Sequence, residues 1–126
     1  MIATSLTRPV DLPTQPAAAR RVLTRLLDDA AWQGDTDAVV LAVHEAMANA
    51  QRHAGGVTRA TAALDGQAFV VEVADCGRGF RVPESPDMPD PSAERGRGLF
   101  LIRRLADGVD VVRSGREVCL VLRFER

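Results

Sequence analysis

The spacing of apolar residues in this chain changes from a helical period to a strand period, and the order of these changes limits the folds that it can adopt. The predicted elements, in chain order, are a strand at 2–6, helices at 14–34 and 35–53, strands at 57–64 and 67–75, a helix at 96–106, and strands at 109–113 and 117–124. This order, β-α-α-β-β-loop-α-β-β, predicts a fold of the α/β class. We expect a two-layer α/β sandwich with a mixed, mostly antiparallel sheet and helices on one face.

Residues that cap or stop helices place the ends of the first two helices. Thr14 is expected to cap the first helix, and Gly34 is expected to end it. Asp35 or Thr36 is expected to cap the second helix, and Gly55-Gly56 to stop it. The two helices should therefore follow each other with almost no linker.

A hairpin signal and a proline-rich segment come next in the chain. Asp65-Gly66 is typical of a two-residue hairpin loop, and Phe69, Val71 and Val73 should share one face of the second strand. Residues 81–95 contain four prolines and cannot form a regular element. A long loop of this kind inside a compact domain is usually functional or disordered.

The composition is that of an ordinary globular chain, with 126 residues, 46% hydrophobic and 26% charged. We expect one domain spanning residues 1–126. A net charge of -1 gives no field that would recruit nucleic acid or an acidic membrane surface. No run approaches the ~20 apolar residues of a membrane span, and the first residues lack the pattern of a signal peptide. The two cysteines are too few for a disulfide framework and show no zinc spacing, so a reduced, cytoplasmic setting is expected.

The chain contains no lysine, because all 16 of its cationic residues are arginine. A Walker A phosphate loop and the lysine of ordinary protein kinases are therefore excluded. Schiff-base catalysis is excluded for the same reason.

Glu45 and Asn49, the only asparagine of the chain, stand four residues apart in an otherwise apolar, alanine-rich helix. This spacing places the carboxylate and the carboxamide on one face, a turn apart, on the same line as Leu41. The opposite positions are also largely apolar, so no face is obviously left to the solvent. Buried polar groups are costly unless they are satisfied, and a hydrated Mg²⁺ carrying nucleotide phosphates is one partner that would satisfy them. We expect Asn49 to orient Mg²⁺ and Glu45 to accept a proton from an attacking hydroxyl or water.

Two glycine clusters complete a candidate ATP site. Asp75 ends a strand and could accept a hydrogen bond from an adenine amino group, while Gly77 and Gly79 let the backbone approach the base. A Rossmann site is excluded, because a third glycine is absent and prolines follow instead of a helix. The second cluster, Gly96-Arg97-Gly98, opens a helix whose free N–H groups suit phosphate oxygens, and Arg95 adds positive charge beside them.

Other polar and aromatic residues are expected to have structural roles. His53 closes the second helix, where a cation complements the helix dipole. Arg103-Arg104 should lie on a solvated face, Trp32 should be a core or interface residue, and His44 has no evident partner.

Taken together, these motifs resemble those of the Bergerat-fold ATPases, which include gyrase, MutL and histidine kinases. Glu45–His53 matches the N box of that superfamily, Asp75–Phe80 its first glycine box and Gly96–Leu99 its second. Residues 81–95 stand where the superfamily has its ATP lid. Within it, the chain is most similar to the bacterial anti-sigma-factor serine kinases, although Arg95 replaces a residue that is often glycine.

The resemblance implies a single ATP-binding kinase domain that uses ATP and Mg²⁺. It implies a serine/threonine protein kinase that acts as an anti-sigma switch: it phosphorylates a small anti-anti-sigma protein, sequesters a sigma factor and forms a homodimer. The site residues implied are Glu45 and Arg95 as catalytic residues, Asn49 as the Mg²⁺ ligand, and Asn49, His53, Asp75, Gly77, Gly79, Phe80, Gly96, Arg97, Gly98 and Leu99 around the nucleotide.

Two alternative functions remain open at this point. One is a nucleotide-gated module that binds a partner without phosphorylating it. The other is a detached ATP domain of a histidine kinase, which needs a dimerisation helix bearing a phosphoacceptor histidine. Neither histidine of this chain lies outside the expected ATP fold.

Overall fold

The computed structural model describes residues 8–77 and 94–126, with side chains from residue 99 onward in the second range. Its elements are β1 (Val10–Asp11), α1 (Pro16–Asp29), α2 (Thr36–His53), β2 (Val57–Asp65), β3 (Ala68–Asp75), α3 (Glu94–Leu105), β4 (Gly108–Ser114) and β5 (Glu117–Phe124). The strand predicted at 2–6 and most of the predicted lid, together with Gly79 and Phe80, lie outside the described residues.

The five strands form one sheet in the order β1-β2-β3-β5-β4, and every neighbouring pair is antiparallel. The face that carries Phe69, Val71 and Val73 is buried, as predicted, together with Leu122 and Phe124 of β5. Buried residues of all three helices join the same core cluster, so the helices cover this one face. The predicted two-layer α/β sandwich is confirmed.

The ends of α1 differ from the prediction. Gln15, rather than Thr14, occupies the N-cap position and makes no side-chain cap, and the helix ends at Asp29, well before Gly34. Ala31 takes a left-handed conformation with φ of 51°, which terminates the helix. Gly34 has another role, since a Cβ there would stand 2.2 Å from the Trp32 ring. Its missing side chain makes room for that ring.

Helix α2 begins and ends where the sequence predicts. The Asp35 side chain caps it by accepting a hydrogen bond from the Ala38 N–H at 3.1 Å. Gly55 and Gly56, with φ of 77° and 115°, then take conformations that other residues rarely adopt. The chain therefore reverses directly after His53 and enters β2.

The hairpin between β2 and β3 is shifted by one residue from the prediction. Asp65 pairs with Ala68, so the loop consists of Gly66 and Gln67 and not of Asp65-Gly66. Gly66 still supplies the left-handed conformation, with φ of 65°. Trp32 fastens this loop by donating an indole hydrogen bond to the Gln67 carbonyl at 2.8 Å and by packing on Phe69. Trp32 is partly buried and packs against the core cluster, in keeping with the predicted core or interface position.

The face of the sheet away from the helices carries charged residues that pair with one another. Arg59 forms ion pairs with Glu117 at 2.8 Å and with Glu72 at 3.5 Å. Burial and the neighbouring Glu72 raise the pKa of the Cys119 thiol beside them. Arg123 similarly bridges Asp65 and Glu125. We call this face, from β2 to β4, the open face of the sheet.

None of the helices within residues 8–77 and 94–126 is long and apolar enough to cross a membrane.

Candidate functional site

Glu45, Asn49 and His53 lie along one side of α2, each a turn from the next. Asn49 is completely buried, and Glu45 and His53 are half-buried. Leu41 starts the same line of residues but is exposed at 41%, so α2 does present a solvent face at its N-terminal half, contrary to the expectation. This line of residues therefore runs from the surface at Leu41 into the interior at Asn49.

The carboxamide of Asn49 is only partly satisfied. Its Oδ1 accepts a hydrogen bond from the Arg52 guanidinium at 2.7 Å. Its buried Nδ2 has no hydrogen-bond partner among the residues that the structure describes. A buried amide donor without a partner costs about 1–3 kcal/mol, so such a group is rarely kept for stability alone.

A second buried nitrogen without a partner lies one turn further along α2. The Nε2 atom of His53 is buried and makes no hydrogen bond within the described part of the chain. Half-buried Arg103 of α3 resembles it, since its Nε atom is also buried and unpaired there. The expectation that Arg103 lies on a solvated face is therefore wrong, whereas Arg104 is exposed and lies over the Phe100 ring.

Asp75 brings the end of β3 to the C-terminal end of α2. The residue is 6% exposed, and its Oδ1 accepts a hydrogen bond from the Gly77 N–H at 2.9 Å. Gly77 in turn packs against Ala54, the residue after α2, because a Cβ on Gly77 would stand 2.3 Å from the Ala54 Cβ. Only glycine fits this contact, which joins the first glycine box to the end of the predicted N box. Cys76, between Asp75 and Gly77, is exposed.

Helix α3 begins at Glu94, two residues earlier than predicted. Gly96, Arg97 and Gly98 therefore lie within its first turns, and Gly96 does not open the helix as predicted. The free backbone N–H groups are those of the first turn, which Glu94 opens and which includes Arg95 and Gly96. Leu99, the last residue of the second predicted box, is buried in the core and anchors this end of the helix.

The donor set fits a hydrated magnesium ion better than a metal held by protein alone. Asn49 offers a hard oxygen one helical turn after the half-buried Glu45 carboxylate. No group of three metal-binding side chains occurs among residues 8–77 and 94–126. Magnesium usually takes one or two protein ligands and completes its shell with water and substrate phosphates.

Comparison with known proteins assigns the family. A model of the histidine kinase-like ATPase domain matches residues 10–124. The chain therefore belongs to the histidine kinase-like ATPase domain family. The buried asparagine and the Asp75–Gly77 turn lie inside the matched region.

Among solved structures, this chain is similar to the RsbU and RsbW domains of Rv1364c from Mycobacterium tuberculosis, with a TM-score of 0.65. The two chains share 18% sequence identity, and the match covers 94% of this chain and 32% of the other. At this identity the likeness shows a shared fold. No curated protein matches the chain at a significant level.

Three residues with contacts near the site are not indicated by the sequence patterns. Arg52 reaches back to Asn49, and its position three residues further along the helix is the signal that could have revealed it. Ala54 meets Gly77 across a separation of 23 residues, which no local pattern encodes. Arg20 of α1 contacts the Nδ1 atom of His44 at 3.2 Å and gives that histidine a partner.

Proposed function

We propose that this protein is an ATP-dependent serine/threonine protein kinase that acts as an anti-sigma switch. The observation that carries the proposal is Asn49, which is fully buried one turn after Glu45 and keeps an unpaired Nδ2 within the described part of the chain. A bound nucleotide would satisfy this carboxamide, because a phosphate oxygen would accept a hydrogen bond from Nδ2 and the metal ion would bind Oδ1. Membership of the histidine kinase-like ATPase domain family supports ATP as that nucleotide.

Asp75 is proposed to recognise adenine. Its Oδ1 is held by the Gly77 N–H, which fixes the plane of the carboxylate at the end of β3. The second oxygen makes no hydrogen bond within the described residues and is available to accept one from the adenine amino group. Guanine carries a carbonyl at that position, and two acceptors facing each other would repel. ATP should therefore bind more tightly than GTP.

Asn49 is proposed to orient Mg²⁺ through its side-chain oxygen, with His53 one turn away facing the nucleotide. When bound, Mg²⁺ would neutralise negative charge on the phosphates. The first turn of α3, with Arg95, Gly96 and Arg97, supplies the positive end of a helix dipole for the same phosphates. Gly79 and Phe80 complete the nucleotide site in this proposal on the strength of the sequence motif.

Glu45 is proposed to be the general base. It is half-buried and makes no hydrogen bond or ion pair within the described residues, so its carboxylate is free to accept a proton. A serine or threonine hydroxyl needs such a base, whereas a neutral imidazole already presents a nucleophilic nitrogen. A Glu45 carboxylate without a partner among the described residues thus favours a hydroxyl acceptor over a histidine.

The acceptor is proposed to be a separate protein, a small anti-anti-sigma antagonist. Phosphorylation would add about -1.5 to -2 charges at neutral pH, enough to expel it from an interface lined with acids. The kinase, as a homodimer, would then hold its sigma factor. The structural similarity to a protein with RsbU and RsbW domains supports a regulatory setting of this kind.

Transfer of radiolabelled phosphate from ATP tests the proposal. The purified protein is incubated with Mg²⁺, γ-labelled ATP and the proteins encoded beside it, with the E45Q variant as control. We expect an acid-stable phosphoprotein that E45Q does not form. Label that is acid-labile and base-stable would mean phosphohistidine and would favour a histidine kinase. ATP binding without any transfer would favour a nucleotide-gated binding module.

A further inference from the structure

Arg52 lies in the last turn of α2, three residues after Asn49, and is exposed. Its Nη2 atom donates a hydrogen bond to Asn49 Oδ1 at 2.7 Å, a short distance typical of a charged donor. Arg52 makes no ion pair within the described part of the chain. The cation of this residue is therefore directed to the one oxygen that the proposed function gives to Mg²⁺.

The contact fixes which way the Asn49 carboxamide points. A carboxamide can turn by half a revolution about its last torsion and exchange its oxygen and nitrogen. A guanidinium accepts nothing, so only the oxygen can face Arg52. The bond to Arg52 thus keeps the oxygen on the Arg52 side and directs Nδ2, which has no partner in the described part of the chain, to the other side.

Simultaneous binding of Arg52 and a magnesium ion to this oxygen would be unfavourable. Two cations bound to one atom lie within a few ångströms of each other, and their repulsion is strong near a protein surface. One of them has to leave. Asn49 is fixed because it is buried, whereas Arg52 is exposed and can return its charge to water at little cost.

We propose that Arg52 and Mg²⁺ compete for the Asn49 oxygen. The guanidinium holds this oxygen in place when nucleotide is absent, and Mg²⁺ has to displace it when nucleotide binds. This inference rests on the proposed function, which makes Asn49 the residue that orients Mg²⁺. Its consequence is that an arginine beside an anion-binding site weakens the binding of Mg²⁺ with ATP.

Calorimetry with a non-hydrolysable ATP analogue tests the competition. The R52M variant keeps an unbranched side-chain stem but loses the guanidinium with its charge and donors, and R21M on α1 is the matched control for the loss of one exposed arginine. In excess Mg²⁺, R52M should bind the analogue about 2–5-fold more tightly than the parent, the range expected for an exposed charged contact. R21M should bind like the parent. In EDTA, where no metal competes, R52M should not bind more tightly.

Simple attraction between Arg52 and the phosphates predicts the opposite sign, which makes the experiment decisive. Binding by R52M that is unchanged or weaker in Mg²⁺ would overturn the inference while leaving the ATP site intact. A parent protein that binds no nucleotide with Mg²⁺ would overturn the proposed function, and the inference with it. A single cooperative melting transition in R52M, as in the parent, verifies that the variant is folded.

Discussion

Polar groups occur in two regions of this molecule, and the two regions treat them in opposite ways. On the open face of the sheet, Arg59 is paired with both Glu72 and Glu117, and all three remain partly exposed. On the helix side, Asn49 is fully buried and His53 is half-buried. Each has a buried side-chain nitrogen with no partner in the described residues. Charges that satisfy each other at the surface need no ligand. Buried groups left unsatisfied indicate one.

The difference also concerns energy. Exposed ion pairs contribute little, about 0–1 kcal/mol each, so the open face can lose one at a small cost. An unsatisfied buried donor lowers the stability of the empty protein until a ligand completes it. Substitutions on the open face should therefore change stability, by a small amount. Substitutions of the buried polar groups on the helix side should change ligand binding.

The largest effect is expected for E45Q, which should lower the rate of phosphoryl transfer by ~10²–10⁴-fold. Glutamine keeps the shape of the side chain but is a very poor base. Nucleotide affinity should not change, because Glu45 is not assigned to the nucleotide. Single-turnover transfer and calorimetry on the same preparation measure both quantities. Transfer at the parental rate would remove Glu45 from the mechanism.

The next largest effect is expected for N49A, which should weaken the binding of ATP with Mg²⁺ by about 10–100-fold. The same variant should lose little stability, because removing a buried donor with no partner in the described part of the chain offsets the lost bond from Arg52 and the space left by the side chain. Calorimetric binding and thermal melting give the two numbers. A variant that is strongly destabilised but binds normally would make Asn49 a structural residue and reverse the comparison.

The contact between Gly77 and Ala54, where the end of β3 meets the end of α2, should affect stability when it is altered. G77A would place a Cβ 2.3 Å from the Ala54 Cβ and 2.7 Å from its Cα, and overpacking of this kind costs about 1–3 kcal/mol. G108A is the matched control, because a Cβ there meets nothing closer than 3.6 Å. Urea titrations of both variants should show a lower midpoint for G77A alone. Equal midpoints would mean that the Gly77–Ala54 contact is not tight in solution.

The smallest effect is expected on the open face. E117Q removes the shorter of the two ion pairs of Arg59, and this pair is partly exposed. The free energy of unfolding should fall by about 0.2–1 kcal/mol, with nucleotide affinity unchanged. Urea unfolding and calorimetry measure the two. A loss of nucleotide binding in E117Q would connect the open face to the site and break the comparison.

Much of the fold can be predicted from local patterns, because the residues that define it act locally. Asp35 caps α2 by itself, Gly55-Gly56 ends it, and alternation buries Phe69 and its neighbours. The errors occur where an element is very short or where a tertiary contact determines the role of a residue. Strand β1 has two residues, too few to show a period. Gly34 makes room for the Trp32 ring, which packs on Phe69, and does not end a helix.

The candidate site shows the same division. Helical spacing places Glu45 and Asn49 on one side of α2, and the surrounding positions are largely apolar. The burial of Asn49 can therefore be expected from the sequence. The hydrogen bond from Arg52 depends on the rotamer of an exposed side chain, and the approach of Gly77 to Ala54 depends on how β3 leaves the sheet. The i, i+3 spacing permits the first contact without fixing the rotamer, and no local pattern encodes the second.

Magnetic resonance of the single asparagine tests the central claim most directly. Labelling with ¹⁵N-asparagine gives one side-chain amide, that of Asn49, since no other asparagine exists in the chain. Mg²⁺ with the non-hydrolysable ATP analogue should shift both proton signals of this amide, because the oxygen changes partner and the nitrogen gains one. Mg²⁺ without nucleotide should leave them nearly unchanged. Side-chain signals that stay in place at nucleotide concentrations that saturate binding would contradict the assignment of Asn49 to the site.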